Sequence, residues 1–131
     1  MDATENAAED SVDLLIIDGA NVVGSRPDGW WRDRAGAAAR LHAQLLDASL
    51  AEPVILVLEG KARSGVPEGP TGSVRVVHAT GAGDDTIVAE TTSALTEGAT
   101  VAVVTADREL TTRVRRLGAQ VLRPGWLLGH L

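Results

Sequence analysis

Residues 13–24 read DLLIIDGANVVG. An unbroken apolar run, Leu14 to Ile17, ends in Asp18, and the chain then turns away through Gly19 and Ala20. A run without polar alternation marks a strand covered on both faces, the condition of a strand inside a parallel sheet. Parallel neighbours need long crossovers, so this stretch predicts strands separated by helices.

The rest of the chain supplies that alternation. RPDGWW (26–31) is a loop, and Asp33 is placed to cap a helix to about Leu50 with Ala38, Leu41, Leu45 and Ala48 on one face. VILVLE (54–59) is a second buried strand, GKARSGVPEGPTGS (60–73) an exposed loop, and VRVVHA (74–79) a third strand. TGAGDDTIVAE (80–90) opens a helix that runs to about Glu97 and stops at Gly98. TVAVVTA (100–106) is a fourth strand. DRELTTRVRRL (107–117) is a helix with Leu110, Val114 and Leu117 at helical spacing, and AQVLR (119–123) is a short fifth strand. In the tail PGWLLGHL, Trp126 either closes the core or forms a homodimer contact. The expected fold is α/β, Rossmann-like, with a central parallel sheet of about five strands and helices on both faces. One domain spans residues 13–131, after a disordered acidic tail over residues 1–12.

Composition narrows the class. The 131 residues contain no cysteine, which excludes a disulfide framework and a thiolate metal site. No apolar run approaches the roughly 20 residues that span a bilayer, and the polar, acidic start is the opposite of a secretory signal. A cytoplasmic protein without membrane contact is expected. The net charge of −6 is concentrated: Asp2, Glu5, Glu9, Asp10 and Asp13 precede any base, leaving 13 acids against 12 bases over residues 14–131. Charge therefore does not decide the partner.

Parallel sheets bind ligands outside the carboxyl ends of their strands, and acids stand there. Asp18 follows the first strand, Glu59 the second, Asp84 and Asp85 the third after a glycine turn, and Asp107 the fourth. Convergent carboxylates resist burial unless a cation compensates them, and a hard divalent cation favours oxygen ligands. Helical periodicity places Asp84 on the stripe of Ile87, Val88, Thr91 and Leu95, turns Asp85 about 100° aside, and leaves Glu90 solvated. Capping is the alternative role for Asp84, Asp85 and Asp107. Asp18, followed by Gly and Ala, does not read as a cap.

Several α/β chemistries fail on residues. A haloacid-dehalogenase-type phosphatase needs a second Asp two positions after Asp18, where Ala20 stands. A receiver domain needs a lysine after a late strand, and the only lysine is Lys61. A dinucleotide-binding domain needs a glycine-rich phosphate turn after the first strand, which DGANVVG lacks.

LLIIDGANVVG, GAGDDTIVAE and VAVVTADRELTTRVRRLGAQVL together resemble the NYN domain of the PIN-like nuclease superfamily, in particular its small bacterial members, over roughly residues 13–124. The shared pattern is Asp-Gly-x-Asn after the first strand, Asp-Asp opening a helix, and Ser/Thr-x-Asp after the fourth strand. The resemblance implies a PIN fold and a Mg²⁺- or Mn²⁺-dependent ribonuclease, with Asp18, Asp84, Asp85 and Asp107 as catalytic and metal-site acids and Asn21 in the same pocket. At the second-strand junction Glu59-Gly60 stands where Asp-Gly or Asp-Ala is expected. Lys61, Arg63 and Arg108 are candidate contacts to RNA, single-stranded by expectation, and Trp30 or Trp31 a candidate base-stacking surface. The alternatives are an RNA-binding module of the same fold without turnover and a metal-dependent α/β phosphatase.

Overall fold

The computed structural model describes residues 12–131. Apart from Val12, which is buried against the core, the expected tail lies outside the described residues. The elements are β1 (Leu14–Asp18), α1 (Gly19–Gly24), a 3-10 turn (Trp30–Arg32), α2 (Arg34–Ala48), β2 (Val54–Leu58), a second 3-10 turn (Gly60–Gly65), β3 (Gly69–Thr71), β4 (Val74–His78), α3 (Gly83–Thr96), β5 (Val101–Val104), α4 (Arg108–Leu117), β6 (Gln120–Leu122) and α5 (Pro124–Leu128).

The sheet has six strands in the order β3-β4-β2-β1-β5-β6. All neighbours are parallel except the antiparallel pair β3–β4. β3 is the strand that the sequence did not predict, inside the stretch expected as exposed loop. Pro70 lacks a backbone N–H, which an edge strand tolerates because one of its sides carries no ladder. The returning loop is pinned to β4: the His78 amide donates to Glu68 Oε2 at 2.8 Å, and its Nε2 donates to the Val66 carbonyl at 2.7 Å.

Alternation splits each apolar strand between two layers. Leu15, Ile17, Leu56, Leu58, Ala102 and Val104 pack with Val22 of α1, Leu41 and Leu45 of α2 and Leu127 of α5. Ile16, Ile55, Val57, Val101 and Val103 pack on the other face with Ile87 of α3 and Leu110 and Val114 of α4. Helices thus cover both faces, as expected. Trp126 packs against the first layer. Leu117, on the expected buried stripe of α4, is instead 41% exposed because it closes the helix beyond the edge of its layer. Glu90, expected to be solvated, reaches Arg75 of β4 at 3.3 Å.

Capping overturns one expectation and decides between the two roles open to the other acids. Asp18 does cap a helix: its Oδ1 accepts from the Asn21 amide at 3.2 Å and starts α1 immediately after β1. Asp84 and Asp85 sit in the first turn of α3 without capping it, and the cap position is Ala82. Asp107 and Asp33 cap α4 and α2, accepting from Leu110 N at 2.8 Å and Gly36 N at 2.9 Å. Gly19 makes the abrupt strand-to-helix turn possible, since a Cβ there would stand 2.6 Å from the Val57 carbonyl oxygen.

Candidate active site

From β1 the chain winds through β2 to β4, then crosses back to lay β5 on the other side of β1. The reversal leaves a switch point outside the carboxyl ends of β1 and β5, the place where open α/β sheets receive ligands. Asp18 ends β1 at this point and is only 6% exposed. Across the switch point the buried Thr105, directly after β5, donates its hydroxyl to Asp18 Oδ2 at 2.9 Å. The same hydroxyl oxygen accepts from the Asp107 amide at 3.1 Å. One turn into α1, Asn21 Oδ1 accepts from the Ala106 amide at 2.8 Å. These bonds tie the ends of β1 and β5 together around Asp18.

The electrostatics oppose ionisation there. The Asp18 carboxyl is pushed up to about 6, chiefly by burial and further by the negative charges of Asp84 and Glu59, against the opposing hydrogen bonds from Thr105 and Asn21. Asp84 is raised as well, first by burial and then by Asp107 and Glu59, while the Arg113 guanidinium pulls it back. Glu59 Oε1 accepts from the Gly83 amide at 3.2 Å, so the acid after β2 holds the start of α3 beside the group.

Asp18, Asp84, Asp107 and Glu59 therefore gather on one edge. Asp85 does not join them: its side chain is 82% exposed and pairs with Arg113 at 3.2 Å. Among the described residues no three Asp, Glu or His side chains are grouped to enclose an ion. The donor set, carboxylate oxygens throughout, is nevertheless of the chemistry that suits a hard cation.

Of the candidate RNA contacts, Lys61 and Arg108 are exposed. Arg63 is partly committed, with Nε donating to the Gly60 carbonyl at 3.0 Å and Nη1 to the Ala79 carbonyl at 3.3 Å. Trp31 is 55% exposed, and Trp30 lies under the Arg34 guanidinium at 5.1 Å, against the beginning of α2. Sequence reasoning missed Thr105 as a site residue. Its signal was the Thr-x-Asp spacing to Asp107, noted as a motif without a role for the threonine.

The sequence matches no protein-family model and no curated protein. Solved structures do match. The crystal structure of Rae1 (YacP) from Bacillus subtilis superposes with a TM-score of 0.68 at 19% identity, over 89% of this chain and 72% of that one. A mutant of the same protein gives the same values. Among the described residues no helix is long and apolar enough to cross a membrane. The chain is an α/β protein that shares the fold of Rae1, with its acids gathered at the switch point of the sheet.

Proposed function

We propose that the protein is a divalent-metal-dependent ribonuclease that cleaves RNA phosphodiester bonds at the Asp18 edge. The observation that carries this reading is Asp18 itself: a carboxyl buried at the switch point, facing Asp84 and Glu59, with no ion pair among the described residues. Burying a carboxylate beside like charges costs stability that a bound cation recovers. The motif resemblance to NYN domains and the fold shared with Rae1 support the same reading.

Asp18, Asp84 and Asp107 are the residues that would hold Mg²⁺ or Mn²⁺, which when bound supplies charge neutralisation at a phosphate and a more acidic water. The chain's own side chains orient the site. Thr105 fixes the Asp18 carboxylate, and Asn21, with its oxygen engaged by Ala106, keeps its NH₂ group to donate to a phosphate oxygen. Asp85 acts indirectly, anchoring Arg113 beside Asp84. Lys61, Arg63 and Arg108 contact the RNA backbone.

The test is incubation of the purified protein with a mixed single-stranded RNA pool in EDTA, Mg²⁺ or Mn²⁺, with Asp84→Asn in parallel. Cleavage only with metal, lost in the variant, is expected. Cleavage undiminished in EDTA or in Asp84→Asn contradicts the proposal. A second reading, an RNA-binding module without turnover, is favoured by the lack of three grouped ligands among the described residues. RNA binding without cleavage under every condition would select it.

A further inference from the structure

Beside the Asp18 edge, on the β5–β6 side, lies a groove of about 380 Å³ whose lining includes Thr105. Three arginines line it, Arg108 and Arg115 of α4 and Arg123 after β6, with Thr111 between the first two and Val121 as an apolar wall. Arg108, Thr111 and Arg115 stand three and four residues apart, so they share one face of α4. The helical rise sets Arg108 and Arg115 about 10 Å apart along its axis. None of the three has an acidic partner within ion-pair distance among the described residues, whereas Arg113 on the same helix pairs with Asp85.

We infer that this groove is the track for the phosphate backbone of the RNA strand that flanks the scissile bond, with Arg115 and Arg123 as phosphate-binding residues. The inference rests on the ribonuclease reading of the adjacent acids and assigns the path that the substrate takes away from them. Its chemistry is direct. In a chain of net charge −6, three guanidinium groups with no acidic partner among the described residues line one groove together with Thr105, the residue that fixes Asp18. Guanidinium is the side chain that matches phosphate oxygens bidentately. The acids at the edge would repel the same backbone, so the strand is drawn along the arginines and meets the acids at one point only.

Arg115 and Arg116 differ in where they stand relative to the groove. That difference supplies the control, because Arg115 and Arg116 are neighbours on α4 and both exposed, yet only Arg115 lines the groove. The experiment measures the affinity of a labelled single-stranded RNA oligonucleotide in EDTA, over a series of salt concentrations. Wild type is compared with the double variant Arg115→Gln/Arg123→Gln and with Arg116→Gln.

For single strands each neutralised phosphate contributes a slope of about 0.7 in log affinity against log salt. The double variant is therefore expected to lose roughly 0.7 of slope for each arginine removed, equally for unrelated sequences, while Arg116→Gln keeps the wild-type slope. An unchanged slope in the double variant, or an equal loss per charge in Arg116→Gln, overturns the groove while leaving the ribonuclease reading intact. Wild-type protein that binds no RNA at any salt, and cleaves none with metal, overturns both. Circular dichroism of each variant identifies any loss of binding that comes from unfolding instead.

Discussion

The two ends of the sheet treat their carboxylates in opposite ways. At the N-terminal end Asp13 accepts from the Thr100 amide at 2.9 Å while its own amide donates to Thr100 Oγ1 at 2.9 Å, latching the start of β1 to the start of β5. Glu90 reaches across to Arg75 of β4. At the C-terminal end Asp18 is buried with a hydroxyl and an amide for partners, and its nearest charges are negative. At the first end Asp13 and Glu90 each meet a partner and join elements. At the second end the carboxyls of Asp18 and Asp84 are both held above the ordinary range, first by burial, so their ionised forms weaken the metal-free fold.

The largest expected effect comes from removing the central unpaired acid. Loss of the partners that merely orient metal ligands costs about 10- to 100-fold, so Asp18→Asn is expected to lower metal-dependent RNA cleavage by more than roughly 100-fold. A gel assay with Mg²⁺ checks this, and wild-type cleavage in the variant would erase the contrast between the two ends.

The same substitution sharpens the comparison through stability. Asp18 holds its proton more tightly when folded, at about 6 against an ordinary 3.8. Its cost is absent below pH 3.8, grows as pH rises from there to about 6, and is complete above it. In metal-free wild type the loss reaches on the order of 3 kcal/mol. Asp18→Asn should show a smaller fall, the part that the raised Asp84 contributes, as chemical denaturation between pH 4 and 7 would reveal.

Crowding beneath the site gives a similar or smaller effect. Gly19→Ala places a Cβ against the Val57 carbonyl and Leu58, which is expected to destabilise by about 1–3 kcal/mol and to displace Asp18. Thermal unfolding and the cleavage rate should fall together. Smallest is Arg75→Gln at the far end. An exposed ion pair contributes about 0.2–1 kcal/mol, so stability should change by no more than that and cleavage not at all.

The main strands and helices were legible because burial on both faces leaves a direct mark, as in Leu14–Ile17, and because Gly98 and Gly118 end their helices at positive φ. The exposure of Asp85 and the inward position of Asp84 followed from helical period alone. Strand order carries no local signature, so the switch point and the Thr105–Asp18 bond across 87 residues were not readable. β3 was hidden because a three-residue edge strand containing Gly and Pro has the composition of a loop. That Asp18 caps a helix was not readable, because α1 begins with Gly19 itself, with no polar lead between strand and helix.

The most direct test of the central claim is the unfolding stability of wild type from pH 4 to 7, in EDTA and in Mg²⁺. The account predicts a fall between pH 3.8 and about 6 in EDTA that Mg²⁺ offsets, with stabilisation at pH 7 of about 2.7 kcal/mol at a hundredfold excess over the dissociation constant. Superimposable curves in the two conditions would contradict it, because the acids at the C-terminal edge would then hold no cation.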